Sequence, residues 1–322
     1  MAELKRGYTT GVHASFAFKS ALQSFINLQE FSSSKTFKMD NDDLDVTKGC
    51  EIVVSISSKK DDLEFNSTAQ NPYVLNSKNS ALELYSGIGV GVVTKDGLKP
   101  PKNYPAINPK PLEVLKDIFL KYTEDEELGT LYCTISVSDG ETIAKQTANE
   151  KVGVLKGISI LGTTGFVKPI SSTAYINSIE QELNFAYANG YETILFTLGN
   201  TAFKKSAELC DDFYIIEIGN FIYDGISLAV QNEFKNIELW LGIGKAVKVA
   251  QGFKNTHNRF GGVDFEILQT WLDIDIQECV TVKRVRELLK DDSAKFDDLV
   301  LDKTKDQLKN WFKKDIEVKI IW

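Results

Sequence analysis

The sequence predicts an α+β domain over residues 1–165, followed by a Rossmann-like, mostly parallel α/β domain over residues 166–322. A chain of 322 residues exceeds the usual size of one hydrophobic core. Five of the seven prolines fall within Pro100–Pro111, and none follows Pro169. The second half alternates short apolar strands with amphipathic helices, which is typical of right-handed crossovers and a parallel sheet.

Composition and charge exclude several classes of protein. Hydrophobic residues make up 43% and charged residues 25%, as in an ordinary globular protein. A net charge of −8 argues against nucleic-acid binding, which needs clustered Lys and Arg. The apolar runs are short and Lys19 interrupts the N-terminal one, so we expect a cytoplasmic protein without a membrane segment. Four scattered cysteines and two histidines predict buried thiols and no protein-bound metal.

The first half has the pattern of a helix followed by strands. The helix, from about His13 to Phe25, follows the turn GYTTG at Gly7–Gly11. The proline-rich stretch at Pro100–Pro111 predicts an ordered or lid-like loop. Strand-like segments predict a mixed or antiparallel sheet with helices on one face; they are Glu51–Ile56, Leu82–Tyr85 and Thr130–Val137.

The second half repeats a strand, a glycine-bearing tip and a helix. We predict its strands, the first of which precedes the domain boundary, at Gly153–Leu161, Glu192–Leu198, Phe213–Ile218 and Ile237–Leu241. Parallel strands carry their tips to one edge, where open α/β sheets bind ligands. These tips are Leu161–Gly165, Leu198–Asn200, Ile218–Asn220 and Gly242–Lys245. No acidic residue occurs between Glu238 and Asp264, whereas Lys245, Lys248, Lys254 and Arg259 do, which is compatible with a polycarboxylate site.

Six motifs, spread over about four-fifths of the chain, resemble the signatures of the CbiD family in the family's order. They are GYTTG at Gly7–Gly11, DDLDVTKG at Asp42–Gly49, ELYSGIGVGVVTKDGL at Glu83–Leu98, PAINP at Pro105–Pro109, GISILGTTGFVKPIS at Gly157–Ser171 and GIGKAVKVAQGFKNTH at Gly242–His257.

The resemblance implies a methyltransferase of anaerobic cobalamin synthesis, which moves a methyl group from S-adenosylmethionine to carbon 1 of cobalt-precorrin-5B and gives cobalt-precorrin-6A. The cobalt then belongs to the tetrapyrrole substrate. The sequence leaves open whether the chain forms a homodimer and which domain holds S-adenosylmethionine. A catalytically diverged corrinoid-binding protein stays an alternative, because Lys48 and Gly242 stand where the family commonly has histidine, and His13 where it commonly has cysteine.

Residue roles follow from the motif matches and from the glycine-bearing tips of the predicted parallel sheet. We predict catalytic roles for Asp42, Asp43 and His257. The residues predicted to bind S-adenosylmethionine are Gly87, Gly89, Gly91, Gly162, Thr163, Thr164, Gly165, Gly199, Asn200, Gly219 and Asn220. Those predicted to bind the tetrapyrrole are Thr9, Thr10, Gly11, Asp45, Thr47, Lys95, Gly244, Lys245, Asn255 and Thr256.

Each motif also has a purely structural alternative. GYTTG could be a plain helix N-cap. GIGVG at Gly87–Gly91 could be a tight turn, and LGTTG at Leu161–Gly165 a strand-to-helix connection. The aspartates could form a solvated acidic turn, and His257 could be a hydrogen-bonded structural residue.

Overall fold

The computed structural model of the chain describes residues 7–39, 45–162, 165–167, 172–209 and 214–321. The chain divides into two units, Met1–Ser171 and Ser172–Trp322. Both parallel and antiparallel sheets occur. Within the described residues, no helix combines the length and the apolar character that spanning a bilayer requires.

The first unit contains the helices α1 (Thr10–Leu28), α2 (Pro109–Tyr122) and α3 (Gly140–Ala144). Its strands are β1 (Gly7–Tyr8), β2 (Ser32–Phe37), β3 (Glu51–Ser57), β4 (Tyr73–Asn76), β5 (Ser80–Ser86), β6 (Gly89–Val90), β7 (Val92–Val93), β8 (Gly129–Val137), β9 (Val154–Leu155), β10 (Gly157–Ile158) and β11 (Phe166–Val167).

A five-stranded mixed sheet in the order β2-β3-β8-β5-β4 forms the centre of this unit, as the sequence predicts. Only the β5–β8 pair within it is parallel. Alternate residues of β3, including Val54, are fully buried and pack with Phe18 and Leu22 of α1 and with Phe119 of α2. Burial of this apolar face is the main contribution to the stability of the unit.

The proline-rich loop ends earlier than the sequence predicts, because its last residues belong to a helix. Helix α2 already begins at Pro109, so Pro109 and Pro111 lie in its first turn. A proline is tolerated there because the first N–H groups of a helix have no intrahelical acceptor.

The prediction that Gly153–Leu161 forms a strand of the parallel sheet is wrong. This segment does not join the parallel sheet: β9 pairs with β7 and β10 pairs with β6, all in the first unit. Lys156, with a φ of 62°, breaks the extended run. A Cβ atom on Gly157 would lie 2.4 Å from the carbonyl carbon of Gly89, so close packing against β6 needs this glycine.

The second unit has four parallel strands in the order β13-β12-β14-β15. These are β12 (Thr193–Leu198), β13 (Tyr214–Glu217), β14 (Asn236–Gly242) and β15 (Glu317–Ile321). The helices are α4 (Ser172–Ala188), α5 (Asn200–Leu209), α6 (Ile222–Gln231), α7 (Ile243–Ala250), α8 (Phe265–Gln269), α9 (Val282–Leu289) and α10 (Ser293–Phe312). The three later strands predicted for the parallel sheet are therefore confirmed.

Candidate functional site

Three of the predicted glycine-bearing tips meet at one edge of the parallel sheet, where β12, β13 and β14 end. From β12 the chain runs first to β13 on one side, and it later returns to β14 on the other side. The crevice between the ends of β12 and β14 is thus a topological switch point, which is where open α/β sheets bind ligands.

A cleft of about 840 Å³ lies at this switch point, within the second unit. This volume is in the range of small-molecule sites. The cleft brings together seven residues that the sequence predicts to be functional: Gly199, Asn200, Asn220, Gly244, Lys245, Thr256 and His257.

Two glycines keep the cleft open. A Cβ atom on Gly244 would meet no atom within 4 Å, and one on Gly199 would meet only the Nζ atom of Lys245, at 3.8 Å. Gly199 also has a φ of +92°, a conformation that side chains rarely allow. The backbone at both tips is therefore accessible to a ligand.

Lys245, in the tip after β14, is half-buried in the cleft. Its Nζ atom donates a long hydrogen bond of 3.5 Å to the carbonyl oxygen of Gly219, in the tip after β13. Burial lowers the pKa of Lys245; the charge of Glu217 opposes this shift, and that of Lys248 adds to it.

Lys248 also lines the cleft, although no motif predicted a role of its own for this residue. Its side chain is only 6% exposed. Its Nζ atom donates to the carbonyl oxygens of Thr256 and Gly261, at 3.1 and 2.9 Å, and to Oδ1 of Asn258 at 2.7 Å. These three hydrogen bonds of Lys248 therefore hold the segment 256–261 against α7. The one sequence signal was its place in the basic stretch without acidic residues.

The segment 256–258 forms another wall of the cleft. The Thr256 N–H group donates to the Asn220 carbonyl oxygen at 3.1 Å, and the Thr256 hydroxyl to Asn220 Oδ1 at 3.0 Å. His257 is exposed, and its Nδ1 atom accepts a hydrogen bond from the Arg259 N–H group at 3.1 Å. A neutral His257 therefore carries its proton on Nε2. Asn255 does not line the cleft; its Oδ1 atom accepts from the His257 N–H group.

A second cavity, of about 360 Å³, lies in the first unit and brings GYTTG and LGTTG together. It is lined by Thr9, Gly11, Gly162 and Gly165, and also by apolar side chains of α1 and α2 with Lys19 and Lys110. Thr163 and Thr164 are outside the described residues.

Hydrogen bonds join the two motifs directly. The Gly11 N–H group donates to the Leu161 carbonyl oxygen at 2.8 Å, and the Thr10 hydroxyl accepts from the Leu161 N–H group at 2.8 Å. Thr9 is the N-cap of α1, since its hydroxyl accepts from the Val12 N–H group. These groups thus hold the fold together, as in the structural alternative for GYTTG.

Comparison with known proteins identifies the family. The CbiD family model matches residues 28–169. The cobalt-precorrin-5B C(1)-methyltransferase of Methanocaldococcus jannaschii is 32% identical over 309 residues, covering 87% of this chain and 80% of the relative. The chain belongs to the CbiD family. The enzyme of the same name from Methanococcus aeolicus is 35% identical over 250 residues, with 77% of this chain and 62% of the relative covered.

A solved structure also matches this CbiD-family chain. It is the crystal structure of the cobalamin biosynthesis protein CbiD from Archaeoglobus fulgidus, which is 24% identical. The match covers 76% of this chain and 79% of that chain, with a TM-score of 0.36.

Three glycines within the range matched by the CbiD family model, Gly87, Gly89 and Gly91, are explained by packing. A Cβ atom on Gly89 would lie 2.0 Å from the Val137 carbonyl oxygen. The N–H groups of Gly87 and Gly91 donate to backbone carbonyl oxygens of the first unit, at 2.8 and 2.9 Å. These two amides are therefore already used within the fold, and their role in binding S-adenosylmethionine stays a prediction.

The acidic motif DDLDVTKG is described only in part. Asp42 and Asp43 lie outside the described residues. The Asp45 carboxylate accepts hydrogen bonds from Lys38 and from the Thr47 N–H and hydroxyl groups. Burial acts to raise the pKa of Asp45, but the hydrogen bonds from Lys38 and Thr47 outweigh it and lower this pKa. Asp45 and Thr47 thus form a structural cluster around Lys38, which is 2% exposed.

Two other predictions about the site concern Lys95 and metal binding. Lys95 is exposed and lies beside Gly153, lining neither of the two cavities described above. Among the residues that the structure describes, no three His, Cys, Asp or Glu side chains come together as a metal site requires.

Proposed function

We propose that this chain transfers the methyl group of S-adenosylmethionine to carbon 1 of cobalt-precorrin-5B, giving cobalt-precorrin-6A in anaerobic cobalamin synthesis. The observation that carries the proposal is the 32% identity over 309 residues to a relative of that name. The cleft at the switch point supports it, because it gathers seven of the predicted site residues on one sheet edge.

The main requirement of the reaction is that the methyl group of the donor is aligned with carbon 1 of the tetrapyrrole. The bond between the donor sulfur and its methyl carbon breaks, and sulfur keeps the electron pair as S-adenosylhomocysteine leaves. A bond forms between the methyl group and carbon 1, and the macrocycle loses a proton overall. Such an in-line displacement is accelerated by holding the two reacting atoms at near-contact distance, and it needs no covalent nucleophile.

The structure suggests a donor role for His257. Because its Nδ1 atom accepts from the Arg259 N–H group, its Nε2–H group is available to donate to a bound ligand. As a proton acceptor His257 would have to give up that backbone hydrogen bond. We therefore propose that His257 orients the tetrapyrrole, and the catalytic roles of Asp42 and Asp43 stay predictions.

An anaerobic assay tests the proposal. The purified chain is mixed with cobalt-precorrin-5B and S-adenosylmethionine labelled in its methyl group, and the tetrapyrrole is recovered by chromatography. We expect the label in the tetrapyrrole and S-adenosylhomocysteine in equal amount. A folded chain that binds the tetrapyrrole but transfers no label would contradict the proposal and would favour the diverged corrinoid-binding protein.

Thermal unfolding gives an independent check. S-adenosylhomocysteine binds the folded state only, so at saturation it raises the melting temperature of the chain. No shift at saturating ligand would count against the proposal. The cytoplasmic location and the domain boundary at residue 165 stay predictions.

A further inference from the structure

We propose that the cleft at the β12–β14 switch point binds carboxylate groups of the tetrapyrrole, with Lys245 as the anchor, and does not bind the methyl donor. The identity of the natural ligand rests on the proposed function. The inference itself comes from the charge, hydrogen bonding and lining of the cleft.

The cleft carries positive charge. Among the described residues, those that line it include Lys245 and Lys248 and no Asp or Glu. Neither ammonium group forms an ion pair with a described carboxylate. Glu217, whose charge acts on Lys245, is not among the lining residues. Because burial of a cation is costly and Glu217 offsets that of Lys245 only in part, an anionic ligand is the partner that this cleft favours.

The two lysines differ in what they can offer a ligand. All three N–H bonds of the Lys248 ammonium group are used by neutral oxygen acceptors. Among the described residues, the Lys245 ammonium group has one acceptor, the Gly219 carbonyl oxygen, at 3.5 Å. That distance exceeds the usual range for such a bond. Lys245 is therefore the cation that can bind a carboxylate directly. Lys248 adds to the positive electrostatic potential of the cleft without a free N–H bond of its own.

Neutral donors and apolar surface complete the cleft. Asn200, Thr201 and His257 add polar groups near the tips, and the helices α5 and α7 begin at the same sheet edge. Unpaired N–H groups of helix N-termini favour anions. The apolar part of the lining consists of Val263, Phe265, Val280, Val282 and Ile321. Polar donors together with apolar surface suit a macrocycle that bears acetate and propionate side chains.

The methyl donor fits this cleft less well. S-adenosylmethionine carries a sulfonium and an ammonium group against a single carboxylate, so its net charge is positive and a cationic cleft repels it. The common S-adenosylmethionine fold binds the ribose through an acidic residue after the second strand. Glu217 ends the second strand of this sheet, but it does not line the cleft. We therefore reassign the three lining residues Gly199, Asn200 and Asn220 from the donor to the tetrapyrrole.

The test measures two affinities in matched variants of the full chain. The probes are uroporphyrin III, a stable tetrapyrrole octacarboxylate followed by its fluorescence, and S-adenosylhomocysteine, followed by calorimetry. The variants are Lys245→Gln, Lys245→Arg and the control Lys254→Gln. Lys254 is exposed, lies over the Tyr223 ring at 4.1 Å and does not line the cleft, so it controls for loss of one charge.

We expect Lys245→Gln to weaken uroporphyrin binding about tenfold or more, because a charge-assisted hydrogen bond is lost. Lys245→Arg should restore most of the affinity, added salt should weaken wild-type binding, and the octamethyl ester should not compete. S-adenosylhomocysteine affinity should stay the same in every variant. Unchanged uroporphyrin affinity in Lys245→Gln, or loss of S-adenosylhomocysteine affinity instead, would overturn the inference.

This outcome is separable from that of the methyl-transfer assay. A wild-type chain that binds uroporphyrin through Lys245 but transfers no methyl group would refute the proposed function and leave the inference standing. A wild-type chain that transfers the methyl group, with Lys245→Gln binding uroporphyrin equally well, would refute the inference alone.

Discussion

Replacing Gly89 by alanine tests whether the glycines of GIGVG serve packing. Gly89 has a φ of +79°, and an added Cβ atom would lie 2.0 Å from the Val137 carbonyl oxygen and 3.1 Å from Gly140 Cα. Gly129 has a similar φ of +66°, but a Cβ atom there would meet nothing within 4 Å. The pair therefore separates the cost of the backbone conformation from the cost of the steric overlap.

The expected loss of stability is the sum of the conformational cost and the steric cost. A left-handed conformation costs an alanine about 1 kcal/mol at either site. Overlap with a backbone that cannot easily move adds about 1–3 kcal/mol for Gly89→Ala. For a unit of this size, 1 kcal/mol shifts the melting temperature by about 2–4 °C. We expect a loss of about 4–16 °C for Gly89→Ala and about 2–4 °C for Gly129→Ala.

Differential scanning calorimetry of the two variants beside the wild type measures these shifts. S-adenosylhomocysteine binding is titrated on the same samples. Equal shifts in both variants would refute the packing argument. So would a Gly89→Ala variant that keeps its melting temperature and loses only ligand affinity, because the glycine would then serve the ligand.

Three other perturbations test the described contacts. Lys248→Met should speed hydrogen exchange across residues 256–261, read by mass spectrometry, because buried acceptors lose their donor; Lys254→Met should leave these amides protected. Burial, with the charge of Lys38, lowers the pKa of His13 below 6.5, so the unfolded chain binds more protons and stability rises with pH just below 6.5. His13→Gln should flatten this rise in melting temperature between about pH 5.5 and about pH 7.5, and an unchanged slope would contradict the assignment. Burial raises the pKa of Cys50 to about 11, so alkylation at about pH 8 should modify it only after denaturation, as peptide mapping will show.

Local patterns predicted most elements of the fold with small errors at their ends. The helix expected from His13 to Phe25 runs from Thr10 to Leu28, and the strand expected at Thr130–Val137 begins one residue earlier, at Gly129. Such segments can be predicted because the periodicity of buried side chains is written into a short window of sequence.

The environment of each candidate site residue could not be predicted in the same way. LGTTG looked like a fourth tip of the parallel sheet, yet its Leu161 and Gly165 residues are hydrogen-bonded to GYTTG within the first unit. Lys248 looked like one more lysine in a basic stretch, yet it is buried and makes three hydrogen bonds. Spacing along a helix does not show whether a lysine meets solvent or the oxygen atoms of a later loop.

By itself the sequence determined the family, the alternation of strands and helices in the second half, and the basic stretch that ends in NTH. Only the tertiary structure decided that three tips meet around Lys245 while the other two glycine motifs pack within the first unit. The physical reason is that pairings such as Thr10 with Leu161, 151 residues apart, depend on how whole strands and helices pack. That packing is a property of the assembled core, and the sequence of a single motif does not reveal it.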